Sequence, residues 1–185
     1  MEKTWSKVQK KLKSFLADDL GKRITYQVTN YRGAHDNVGR AVLLVDKKEV
    51  LNMCTIISER ELNLEEQAIR NQLGLNIEFG DSLTEQELVS YFEQVSQQLR
   101  DFQKEAHQLI KSKGIYSQTD FFEAVERYFD QPIKDSLYSE ELLIRIFAIL
   151  DRRVGKRTLK NLKTGIEQEH ELLQFFYNLR IEANH

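Results

Sequence analysis

The stretch RITYQVTNYRGAHDNVGRAVLLVDKKEVLNMCTII, residues 23–57, decides the fold class. Its first part sets Ile24, Tyr26 and Val28 against Arg23, Thr25, Gln27 and Thr29. That is period two, the alternation of a strand with one dry and one wet face. AVLLV, 41–45, is apolar at every position, as a central strand covered on both sides would be. EVLNMCTII follows after a short Asp46–Lys47–Lys48 turn. Three strands with short connections predict an antiparallel meander. The turn lacks the Asn-Gly or Asp-Gly pair of a two-residue hairpin, so its type stays open at this level.

Between the first two strands, YRGAHDNVGR (31–40) places His35 beside Asp36 among Gly33, Asn37 and Gly39. Such a pair orients an imidazole for acid–base work, and Cys54 on the third strand is the chain's one thiol nucleophile. His35, Asp36 and Cys54 are therefore the candidate catalytic set of a small hydrolase. The simpler account is favoured: turn-forming residues at a hairpin tip, and a cysteine packed in a strand. A divalent metal needs at least three ligands, and His107, His170 and His185 stand far from His35 with no paired spacing. Neither a metal nor a cofactor is expected.

Outward from the sheet the period becomes helical. Trp5, Val8, Leu12, Phe15 and Leu16 make an amphipathic first helix, with Gly21 where a C-terminal cap would stand. Ser58 with Glu61, and Thr84 with Glu87, match capping boxes. Leu88, Phe92, Val95, Leu99, Phe102, Ala106 and Leu109 then step by four and three as one seam, closed by Gly114. Such a rod needs helices of the same chain or a second copy along it. Ser117 with Asp120 opens a helix that stops before Pro132, and Ser139 opens an apolar one whose single interior charge is Arg145. A short basic helix, 156–163, and a last one through Leu172, Leu173, Phe176 and Leu179 complete the chain. Residues 74–83 carry no readable pattern.

At 185 residues, with 41% hydrophobic and 30% charged side chains, the chain is long enough for a real core and too apolar for disorder. One cysteine excludes an internal disulfide, so a reducing cytoplasm is the expected compartment. No apolar run reaches membrane-spanning length, and no membrane partner is expected. The net charge of −2 is unevenly spread. Residues 1–57 hold 11 basic and 6 acidic side chains, 58–150 hold 9 and 18, and 151–185 hold 7 and 5. This layout admits anionic partners at either end without requiring one.

LDRRVGKRTLKNLK, 150–163, collects Arg152, Arg153, Lys156, Arg157, Lys160 and Lys163. A helix, a glycine and a basic helix outline a helix-turn-helix, hence a candidate nucleic-acid surface. The favoured account is structural, with cations at a helix C-terminus and Asp151 tying down an arginine from a neighbouring turn. The Gly-Lys pair is no phosphate-binding loop, because no glycine precedes it at the required spacing.

Taken together, TWSKVQKKL, YRGAHDNVGR, VDKKEVLNMCT and LDRRVGKRTL resemble an uncharacterised family of small bacterial cytoplasmic proteins. The resemblance covers both ends and is loose from 58 to 130. It implies no activity, but singles out Arg32, His35, Asp36, Arg40, Asp151, Arg152 and Arg153. Such relatives often read Val-Asp-Gly-Lys-Glu where this chain has Lys47 in place of the glycine.

The expectation is an α+β protein: an N-terminal helix on a three-stranded meander (1–57), then a helical bundle around one long helix (58–185). The first functional expectation is a non-catalytic interaction protein, binding a protein partner or itself through the Leu88–Leu109 seam. The second is a nucleic-acid binder using the helix after Gly155, and the third the hydrolase. Arg32, Arg40, Asp151, Arg152, Arg153, Lys156, Arg157 and Lys160 are the candidate binding residues.

Overall fold

In the computed structural model, which describes residues 4–31, 38–72 and 85–183, the fold class is α+β as expected. The described residues form helix α1 (Trp5–Phe15), strands β1 (Ile24–Asn30), β2 (Gly39–Val45) and β3 (Lys48–Cys54), and helices α2 (Thr55–Gln72) and α3 (Glu85–Ser112). Then come α4 (Gln118–Asp130), α5 (Ile133–Leu137), α6 (Leu142–Leu150), α7 (Lys156–Ile166) and α8 (Glu171–Glu182). The chain divides into two compact units: Met1–Ile56 with Tyr116–His185, and Ile57–Ile115.

The first unit is built on an antiparallel sheet of order β1-β2-β3. Ile24 lies opposite Val45, and the pairing runs without interruption to Asn30 opposite Gly39. Period-two alternation sends Ile24, Tyr26, Ala41, Leu43, Leu51 and Met53 into the core, each at most 5% exposed. β2 is the central strand, and its Val42 is also buried. A register shift between Leu43 and Leu44 leaves Val50 as the extra residue of a bulge.

The β2–β3 turn is settled by its backbone. Asp46 and Lys47 both lie in the left-handed region, at φ 50° and 67°, the hallmark of a type I′ hairpin. Arg23 supports it from β1's entry, its Nε and Nη2 donating to the Asp46 carboxylate at 3.1 and 2.8 Å. A lysine at positive φ crowds its Cβ against the backbone, so a glycine fits better there. Lys47→Gly is expected to stabilise the protein by about 0.5–1 kcal/mol, after the larger unfolded-state freedom of glycine is allowed for. A denaturant midpoint that rises at constant slope checks this; a lower midpoint would contradict the left-handed geometry at Lys47.

α6 explains the packing. Seven of its nine residues are buried, including Ile144, Ile146, Ala148 and Leu150 at 0% exposure. An apolar helix of this kind must be covered all round, and it packs against α4, α5 and α8. Phe147 meets Tyr26 from the sheet and Phe121 and Tyr128 from α4, ring centroids 5.6–6.2 Å apart. α1 joins them through Trp5, edge-on to Phe121 and Phe122, and through Gln9, whose Nε2 donates to the Tyr26 carbonyl at 2.7 Å.

Several boundaries differ from expectation. α1 ends at Phe15, and Leu16 turns extended to bridge Asp151; Gly21, at φ −60°, is not its cap. α2 starts at Thr55, directly after β3, so Ser58 is a buried residue of the second turn and caps nothing. Thr84 lies outside the described residues. α6 starts at Leu142 rather than after Ser139, whose hydroxyl accepts from the Glu141 amide instead. α7 runs on to Ile166, three residues beyond the expected end. α5 was not foreseen at all. The Ser117–Asp120 capping box is present with both reciprocal bonds.

The second unit holds α3 and α2 from Ile57 onward. α3 ends where Gly114 takes φ 74°, with the Ile115 amide on the Ile110 carbonyl and the Gly114 amide on that of Lys111, each 3.0 Å. These two bonds are a Schellman stop, and the positive φ is why a glycine stands there. Lys113 pairs with Glu65 of α2. At its C-terminal end the apolar line of α3 passes through Ala106 and Ile110, both fully buried, whereas Leu109 is 39% exposed. A straight helix has 3.6 residues per turn, so a four-three pattern drifts across its surface and a four-residue step wins here.

Candidate functional site

Two places collect the polar residues singled out above, both in the first unit. The first is the mouth of the β1–β2 hairpin. Arg32, His35 and Asp36 lie outside the described residues. The Tyr31 amide donates to the Val38 carbonyl at 2.9 Å, extending the pairing at this end of β1 and β2. Gln118, at the first position of α4 and 3% exposed, reaches into this mouth. Its Nε2 lies 3.1 Å from Asn30 Oδ1, 3.3 Å from the Arg40 carbonyl and 3.4 Å from that of Thr29. This end of the β1–β2 pair is therefore latched to α4.

Cys54 is 6% exposed and lies opposite Arg40 in the β2–β3 pairing. Its Sγ sits 3.4 Å from Tyr31 Oη, a bond that, with burial, raises the phenol above its ordinary range. Arg40 faces Glu49 across the sheet at 3.8 Å. A buried thiol held by a phenol is poorly exposed to attack an incoming substrate. Among the described residues no three His, Cys, Asp or Glu side chains gather as a metal site would require.

The second place is the corner after α6. Asp151 is 1% exposed and its carboxylate is heavily bonded. Oδ1 accepts the Arg153 amide at 2.7 Å; Oδ2 accepts Arg153 Nε at 2.9 Å, Arg153 Nη2 at 2.6 Å and the Tyr128 hydroxyl at 2.5 Å. The backbone on either side is paired too, with Ala17 N–H on the Leu150 carbonyl and Arg152 N–H on that of Phe15. The Arg153 guanidinium lies over the Phe15 ring at 4.3 Å, a cation–π contact on the outer side. The carboxylate raises the guanidinium's already high pKa, and burial with the same carboxylate raises that of Tyr128. Arg180 of α8 comes in from below, its Nη2 donating to the Val154 carbonyl at 3.3 Å. This is a structural knot centred on the buried Asp151 carboxylate.

Asp151 is tied to an arginine, but to Arg153 two residues on rather than to one from a neighbouring turn. Arg152 differs, since its side chain points to solvent and only its amide takes part. Lys156, Arg157 and Lys160 are exposed on α7. Arg145, the interior charge of α6, forms a two-pronged pair with Glu169 at 2.8 and 2.9 Å, which holds that carboxyl below its usual range. Tyr128, Gln118 and Arg180 were not foreseen. For Arg180 a signal existed, a lone charge within the apolar run of α8; a buried tyrosine or glutamine announces nothing.

Fold and corner together define a mixed α+β protein in which a helical unit interrupts a sheet-and-helix unit between its third strand and fourth helix. A family model matches residues 4–181, and the chain belongs to the SF0329 protein family. No curated protein and no solved structure matches it. Among the described residues no helix is long and apolar enough to cross a membrane.

Proposed function

We propose that this is a non-catalytic interaction protein of the bacterial cytoplasm that pairs with a second copy of itself along α3. The observation that carries this reading is α3 itself: 28 unbroken helical residues, roughly 42 Å, in which Leu99 and Phe102 are only half-buried and Leu109 is exposed. In sequence the apolar line continues through Leu88, Phe92 and Val95. Such a line on a long helix is completed by a partner helix. The hydrolase reading, centred on His35, Asp36 and Cys54, finds less support, because Cys54 is buried against Tyr31.

Sedimentation with circular dichroism tests the reading. Wild-type protein is expected at about twice the chain mass of 21.8 kDa, and Leu99→Asp as a folded monomer, since a buried unpaired carboxylate is too costly to keep at the interface. Unfolding of the variant would instead place the seam inside the chain's own packing. A wild-type monomer at every concentration would end the proposal.

A further inference from the structure

The corner absorbs Arg153, but not the cations that follow it. Arg152 to Ile166 contains no carboxylate, and Arg152, Arg157, Lys160 and Lys163 form no ion pair among the described residues. Elsewhere among the described residues Arg23, Arg40, Arg60, Arg70, Lys113, Arg127 and Arg145 are each paired with an acid, whereas Lys7, Lys10 and Lys13 of α1 are not. Leu159 and Ile166 are buried and Leu162 is partly so, which fixes how α7 faces solvent. At about 100° per residue, Lys156, Arg157, Lys160 and Lys163 then share roughly 120° of the outer surface, with exposed Thr164 between them and Asn161 on the flank. Arg157 lies in the first turn, where the helix dipole opposes it, and that turn holds no acid. Fold stability therefore does not account for Arg157, Lys160 and Lys163.

We infer that the outer face of α7 binds the phosphate backbone of a nucleic acid. Phosphates are met by lysine and arginine interspersed with threonine and asparagine donors, which is the make-up of this face. A protein interface wants an apolar or aromatic centre and is poor in lysine, and the exposed face of α7 has no such centre. A membrane-surface helix must insert its apolar side, whereas that side of α7 is packed in the core. The surface is independent of the α3 seam and stands or falls separately.

The test is titration of the full chain with a labelled DNA duplex and a labelled RNA strand at two salt concentrations. Polyglutamate and phosphatidylserine vesicles serve as competing polyanions. Binding that weakens with salt is expected, and Arg157, Lys160 and Lys163→Ala together should lower affinity at least tenfold and reduce the log–log salt slope by about 2–3. Lys7, Lys10 and Lys13→Ala, on the exposed side of α1, remove the same charge elsewhere and should leave binding nearly intact. If the alanine variant melts early, the Gln triple variant replaces it. Absence of binding at low salt, equal loss in both triple variants, or equal affinity for polyglutamate or vesicles would each overturn the inference.

Discussion

Arg153→Ala is expected to destabilise the protein by about 2–3 kcal/mol, while Arg152→Ala, next door, changes stability by less than about 0.5 kcal/mol. The difference follows from what each side chain touches. Removing one partner of a buried ion pair typically costs about 3–5 kcal/mol, because the other charge is left in a poor solvent. Here Asp151 is 1% exposed but keeps the Tyr128 hydroxyl and a backbone amide, and the Arg153 side chain is itself 42% exposed. Both facts lower the figure without cancelling it. Asp151→Ala should cost about as much or more, since it also strands the buried Tyr128 hydroxyl. Arg153→Lys should fall between, keeping the charge but losing the fork and the stacking on Phe15. Denaturant melts of the four variants check the order; an Arg153→Ala protein as stable as wild type would show the corner to be ornamental.

Gly39→Ala is expected to cost about 2–4 kcal/mol, although alanine is the smallest possible addition. A Cβ at this position would stand 2.4 Å from the Thr29 carbonyl oxygen and 2.8 and 2.9 Å from the Gln118 amide. The glutamine could swing away only by giving up its hydrogen bonds to the two strands. The Thr29 carbonyl is strand backbone and has nowhere to go. Relief should therefore be partial in the Gly39→Ala, Gln118→Ala double variant, with thermal melting as the readout. Undiminished stability of Gly39→Ala would mean the strands separate more easily than their pairing implies.

These two positions show how far the sequence could be read. The sheet was legible because Ile24, Tyr26 and Val28 alternate, and nothing but a strand has period two. The stop of α3 at Gly114 and the start of α4 at Ser117 were legible because capping is local chemistry between residues a turn apart. The start of α2 was not: Thr55, Ile56 and Ile57 favour strands by propensity, and the helix took them nonetheless. Gly39 read as a turn former, yet its requirement comes from the Thr29 carbonyl on the paired strand and from a glutamine 79 positions away, which no local pattern encodes. The pairing of Asp151 with an arginine was foreseen. Its choice of Arg153 over Arg152, and its tie to Tyr128 and Leu16, depended on chain segments that only the fold brings together.

The interrupted unit also has a consequence for how the chain is made. The sheet leaves the ribosome first, but α4, which packs on β2 and β3, and α6, which packs on α4, are encoded after the whole inserted segment. The bridge between Leu16 and Asp151 joins the two ends of that wait. At about 5–20 residues per second, the delay is on the order of ten seconds. During it, Tyr26, Leu43 and Met53 face water, with an open strand edge beside them. A nascent chain halted before Leu142 lacks the helix around which this unit packs, so the unit is expected to reach its native state only after α6 has been made.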